Sequence, residues 1–418
     1  MRFVLLLFVL FGASQAFGKP SYVGPVYAPK VYTQSASYRD TRLCVLGDVQ
    51  NMVHQVDAVT PFPGFLANCA TVAGFGCEGG FCADSPYCEG TWENTGARLL
   101  NNVAYSMTGQ YEKIDYTGLS GKDRIQTRLS NMLDHGRCDI IISLGDMNDI
   151  DDGRAGLTYD QLGDGEQRQL RITESFWTII ANSGIPFVPL QGNHDTDEFM
   201  VNLFASLGIT QRSFYYATTP NGRGIAIKAP TPTGKDFCVI GYPWTTSAEN
   251  TTWAIDNAGC GAGLPTILLW HNSIASNCAI NNSPSGTVVQ DNPVSEIFMA
   301  AGGHLTNTNF SCMEETTQLF DTDADASVWT LYLNAQEANR HSFGFGVTQG
   351  MGPTPSDSNG GVYAVVTIHP NASRICGKLW NPYWQVSDFT SNGQDGGSGA
   401  TDFSQECWTF AFDTRFPP

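Results

Sequence analysis

Five residues of types that bind metal ions stand directly behind short apolar runs in this chain: Asp48, Asp146, Asn193, His271 and His304. The runs are Arg42 to Leu46, Asp139 to Leu144, Pro186 to Leu190, Thr266 to Trp270 and Ile297 to Ala301. Stretches of this length and composition read as buried strands. In open α/β sheets the carboxyl ends of strands converge on a crevice where ligands bind, so five strand ends can deliver five donors to one place. The set mixes carboxylate, amide oxygen and imidazole nitrogen, which suits manganese, iron or zinc better than an all-oxygen calcium cage would. Taken singly, each position has an ordinary explanation, because Gly-Asp and Gly-Asn pairs are common in turns and a lone His after a strand is usually a polar cap. Chance is a poor account of all five in one chain.

The elements that must position these residues follow from periodicity. A helical pattern runs from Lys122 to His135, with Ile125, Leu129 and Leu133 on one face, and a second from about Gly165 to Asn182 carries Leu170, Ile172, Phe176, Ile179 and Ile180. A short helix with Phe199, Leu203 and Phe204 follows the Gly192-Asn193-His194-Asp195 turn, and Cys238 to Tyr242 reads as a further strand. Strands alternating with helices imply an α/β fold with much parallel pairing. Residues 361–368 read as a late strand, with the remainder expected to close a second sheet. Residues 60–90 hold four cysteines among many glycines and read as a disulfide-stapled insertion. Its Gly74 to Gly79 stretch matches a dinucleotide fingerprint formally, without the preceding strand and following helix that the fingerprint needs. The expected organisation is a signal peptide over 1–16, an extended arm over 17–40, a main domain over 41–385 and a C-terminal extension over 386–418 packed on it.

Placed in order, the motifs resemble the calcineurin-like metallophosphoesterase family. Its pattern is Asp-x-His, Gly-Asp-x-x-Asp, Gly-Asn-His-Asp/Glu, a lone His after a strand, and Gly-His-x-His. Here the matching residues are Asp48 to Gln50, Gly145 to Asp149, Gly192 to Asp195, His271, and Gly303 to Thr306, a span of roughly residues 42–370. The resemblance implies a four-layer α/β/β/α sandwich of two mixed sheets, with the site at its upper edge. It implies one or two divalent ions (Mn, Zn, Fe or Mg) and hydrolysis of a phosphomonoester or phosphodiester by a metal-bound hydroxide. Asp146 would be the bridging carboxylate, with Asn193, His271 and His304 completing one metal site. His194 would serve as general acid or phosphate clamp, with Asp195 orienting its imidazole and raising its pKa. The other metal site, with Asp48 and Asp146, departs from the family twice, since Gln50 and Thr306 stand where histidines are expected. The alternative implied by those departures is a catalytically impaired protein on the same fold, acting as a secreted binding module. His54, His341 and His369 are weaker candidates to fill the gap.

The rest of the chain bounds where such chemistry takes place. Of 418 residues, 42% are hydrophobic and only 15% charged, the composition of a folded protein. The formal charge of −18 argues against nucleic acid or anionic membrane as a non-specific partner. Arg2, the apolar run Phe3 to Phe11, and the small residues Ser14 and Ala16 have the form of a secretory signal, and that run is too short to span a bilayer. Twelve cysteines with no C-x-x-C spacing favour disulfides over thiolate metal sites. Sequons beginning at Asn250, Asn281, Asn309 and Asn371 are possible sites for N-linked glycans. The expected location is extracellular, or the lumen of a vacuolar or lysosomal compartment, with no membrane anchor. Trp380, Tyr383 and Trp384 fit either a ligand platform or a core stripe.

Overall fold

The computed structural model describes residues 40–47, 49, 92–114, 136–148, 150, 154, 156–232, 234–274, 280, 284–291, 296–304, 312–316, 328–332, 363–369, 374–380 and 406–409. The expected signal, the arm up to residue 39, the Cys-rich insertion and the Lys122–His135 helix lie outside these residues, as do Asp48, Gln50, Asp149, Thr306, His54 and His341.

Two mixed sheets organise the chain. Apolar runs without polar alternation form the parallel strands β1 (Thr41–Leu46), β2 (Ile140–Ser143) and β3 (Phe187–Val188), as expected of strands buried on both faces. On the other side of β1 lies β11 (Tyr363–His369), antiparallel to it, then β12 (Arg374–Trp380) and β13 (Glu406–Thr409). The first sheet thus has six strands in the order β13-β12-β11-β1-β2-β3. The late strand is present as β11, but the remainder of the chain does not close a second sheet as the sequence reading expected. Instead β12 and β13 extend the first sheet, because a connection of four residues turns β11 back into its antiparallel neighbour β12.

The second sheet has seven strands, ordered β4-β5-β6-β7-β8-β10-β9. They are β4 (Tyr215–Thr218), β5 (Ile225–Ala229), β6 (Phe237–Gly241), β7 (Thr266–Leu269), β8 (Ile297–Gly302), β9 (Cys312–Thr316) and β10 (Val328–Tyr332). Strands β6, β7 and β8 run parallel side by side, and β10 is parallel to β8.

Helices cover the sheets. They are α1 (Trp92–Met107), α2 (Asp164–Ser183), α3 (Asp197–Ser206), α4 (Ala248–Asn257) and α5 (Pro284–Asp291). One apolar core joins β1, β2 and β11 to α1 and α2 and to one face of the second sheet, through Ile227, Val239, Ile267 and Ala301. The alternate residues of those strands, Ala226, Ile240, Leu268 and Ala300, belong to a second core with Ala254 of α4 and Val288 and Val289 of α5. The alternation is the pleat at work, since successive side chains serve opposite faces. It is interrupted in β8, where Phe298 and Met299 both join the first core at a shift in register with β7. The central strands are thus buried on both faces.

Three disulfides join described residues: Cys44–Cys138, Cys238–Cys260 and Cys376–Cys407. They place the chain's folding in an oxidising environment. Among the described residues no helix is long and apolar enough to cross a membrane. Asn250 sits on α4 with 1% of its surface exposed. Trp380 is 2% exposed and belongs to the core, not to a ligand platform.

Candidate metal centre

Adjacent strands deliver the site. The register of β6, β7 and β8 aligns Gly241 with Leu269 and Leu269 with Ala301, so the residues just past the three strand ends lie side by side. Two residues beyond β7 stands His271, and two beyond β8 stands His304. From the first sheet, the turn after β2 brings Asp146, and the turn after β3 brings Asn193, His194 and Asp195.

The donors converge. His271 Nε2 lies 3.0 Å from Asp146 Oδ2 and 3.0 Å from His304 Nδ1. One ligand atom from each of Asp146, His271 and His304 falls within 4.8 Å of the others, so the group could hold a metal ion. Donors about 2.0–2.2 Å from a common ion and at right angles to each other stand about 3 Å apart, so these separations fit one ion. Asp146 and His271 are buried, and His304 is half-buried. His271 is aimed from its other side, where Nδ1 meets the Leu144 carbonyl. That contact sets the tautomer that leaves Nε2 facing the centre, as metal-bound imidazoles require.

Close backbone approach makes this possible. A Cβ on Gly192 would stand 2.0 Å from Asp146 Oδ1, and one on Gly145 would stand 2.6 Å from His271 Nδ1. Only glycine fits either place. Asp146 itself has φ of 48°, a left-handed conformation that non-glycine residues adopt rarely and that concentrates at functional sites. Its Oδ1 accepts from the His194 backbone N–H at 2.9 Å, which joins the two turns.

The carboxylate of Asp195 is held by N–H donors from both turns. Its Oδ2 accepts from the backbone N–H groups of Gly192 (2.9 Å) and Met147 (3.3 Å). Its Oδ1 accepts from the backbone and side-chain N–H groups of Asn148 at 3.0 and 2.8 Å. Asp195 is thus a buried bolt between the two turns. Thr173 of α2 extends the link, its hydroxyl 2.8 Å from Asn148 Oδ1 and 3.1 Å from the Met147 carbonyl. Sequence reasoning overlooked Asn148 and Thr173, whose ordinary residue types give no warning.

Electrostatics follow from this packing. Burial favours the neutral acid at Asp146, but the charge and hydrogen bond of His271, aided by His194, outweigh it and leave its pKa lowered. Burial would likewise discharge His271, yet Asp146 overcomes it and the imidazole pKa is raised. Asp195 is pushed up to about 6, by burial first and then by the neighbouring Asp146 charge.

Asn193 is 4% exposed in the turn that supplies the His194 N–H. His194 is half-buried beside Asp146. His369, weighed as an extra ligand, ends β11 next to Ile368, which pairs with Thr41 at the amino end of β1. That is the opposite end of the strand from Gly47, and its Nδ1 bonds Asp40 at 2.9 Å, so it does not reach the site. Sequence reasoning also missed Trp244, three residues past β6, whose ring lies 4.9 Å from that of His304 and 5.6 Å from that of His271, centroid to centroid. Its signal was available: it follows β6 much as the two histidines follow their strands.

No protein-family model matches the chain, and a search of curated proteins finds no match.

Proposed function

We propose that the chain is an exported metal-dependent phosphoesterase, a hydrolase for phosphomonoesters or phosphodiesters built like the calcineurin-like metallophosphoesterases. The observation that carries the reading is the meeting of Asp146, His271 and His304 around a point about 3 Å from neighbour to neighbour. The three come from turns in two different sheets, at the carboxyl ends of parallel strands. Support also comes from the layering, since the two cores fit a sandwich with helices outside two sheets. The disulfides fit an exported protein.

A divalent ion held there would lower the pKa of a bound water and offset the charge of a phosphate group. The chain's own residues do the rest. Asp146 brings negative charge and the histidines neutral nitrogen, with Asn193 in the adjacent turn as the amide donor of the set. His194, anchored through its backbone to Asp146, is the group to hand a proton to the leaving oxygen. The test is elemental analysis of the purified protein, followed by hydrolysis of an aryl phosphate and an aryl phosphodiester with added Mn²⁺, Zn²⁺ or Mg²⁺. Activity that Asp146→Asn or His271→Ala reduces at least about 100-fold supports the reading. Bound metal with no turnover of either ester would favour the binding module instead.

A further inference from the structure

Trp244 stands beside both histidines and has no place in the metal-binding chemistry itself. Its indole is half-buried. Behind it Trp270 stacks at 5.9 Å with an interplanar angle of 17°, and behind Trp270 lies Tyr242 at 6.1 Å and 3°. Tyr242 and Trp270 are buried in the second core, so the column is fixed at its inner end. At its outer end the indole meets His304 at 4.9 Å and a 39° tilt, and His271 nearly edge-on at 72°.

The two imidazoles are not secured alike. His271 is buried and held from both ring nitrogens, by Leu144 and Asp146. His304 is half-buried two residues past β8; its Nδ1 lies 3.0 Å from His271 Nε2 and its backbone N–H bonds the His271 carbonyl at 3.2 Å. The two side-chain torsions of such a ring are set in part by what packs against its face. We propose that Trp244 is a positioning residue for the metal centre: it confines the His304 imidazole to the orientation that presents Nδ1 beside His271 Nε2. The inference rests on the metal-centre reading, in which His304 is a ligand. Groups that orient a ligand typically change metal affinity by 10–100-fold when removed.

The test uses the full chain in three forms: wild type, Trp244→Phe and Trp244→Leu. Calorimetric titration with Mn²⁺ alone should give an affinity about 10–100-fold weaker for Trp244→Leu, with most of the loss recovered by Trp244→Phe, which keeps a ring. In the metal-free protein, histidine-selective NMR should show the His304 ring protons displaced by the indole ring current and in contact with indole protons. That displacement should vanish in Trp244→Leu. Unchanged affinity in Trp244→Leu, or equal loss in the Phe and Leu variants, would overturn the inference. If the wild type binds no Mn²⁺, the metal-centre reading fails, and the NMR contact alone decides whether Trp244 orders His304. If Trp244→Leu does not fold, absence of that contact in the wild type overturns the inference by itself.

Discussion

At Gly192 an absent side chain shapes the centre. The space a Cβ would need is taken by Asp146 Oδ1 at 2.0 Å and Asp146 N at 2.2 Å, so any substitution must push the two turns apart. Asp146 would then leave both His271 and the His194 N–H. Forcing atoms into a packed site typically costs 1–3 kcal/mol, and here the obstacle is backbone that cannot swing away. Gly192→Ala is expected to lose about 3 kcal/mol in urea denaturation and to lose metal binding in calorimetry. A variant with native stability and native affinity would show that the turns are not held so closely. The Gly-Asp and Gly-Asn pairs were visible in the sequence as turn signals. That Gly192 makes room for Asp146 and Gly145 for His271 was not, because these positions are distant in sequence and only folding brings them together.

Among the elements, the fully buried strands were legible from unbroken apolar runs that end abruptly, and α2 and α3 from their helical spacing. Helix α1 was missed although Leu100, Val103, Ala104 and Met107 follow the helical spacing and are all buried. Gly96 and a run of polar residues mask that stripe, and propensity loses to packing here. Strands β4 and β5 escaped notice because each is short and finds its partner only in the sheet. Strand β12 carries an unusual residue. Lys378 is 5% exposed, its ammonium 4.9 Å from the centre of the Trp380 ring. Burial, reinforced by the charge of Arg42, lowers its pKa from 10.5 to about 8. Between those two values the unfolded chain holds more protons than the folded one, so stability should rise with pH across that window. Trp380 returns part of the cost through its π face. Lys378→Met should therefore be more stable than wild type by about 2 kcal/mol at pH 7, with the difference shrinking as pH rises from 8 towards 10. Denaturation curves at pH 7 and 9.5 check this. An advantage for Met that grows with pH would contradict it.

For the whole molecule, disulfides tie together what the sheets arrange. Cys44–Cys138 closes 94 residues and links β1 to the segment entering β2, while Cys238–Cys260 closes only 22. Restricting the unfolded chain stabilises more for longer loops. Replacing the first pair by alanine should cost about 4–5 kcal/mol and the second about 3, measured by denaturant midpoint. Equal losses would mean that native-state contacts, not loop length, set the values. The pairing itself could not be read from twelve cysteines, since it depends on which strands become neighbours. What the sequence did reveal at this scale was the order of donors behind strand ends, and that order reaches across both sheets. The most direct test of the account is anomalous scattering from crystals grown with Mn²⁺ or Zn²⁺. The account predicts an ion peak about 2.0–2.3 Å from Asp146 Oδ2, His271 Nε2 and His304 Nδ1. Well-ordered density for these three side chains with no ion among them, at saturating metal, would contradict it.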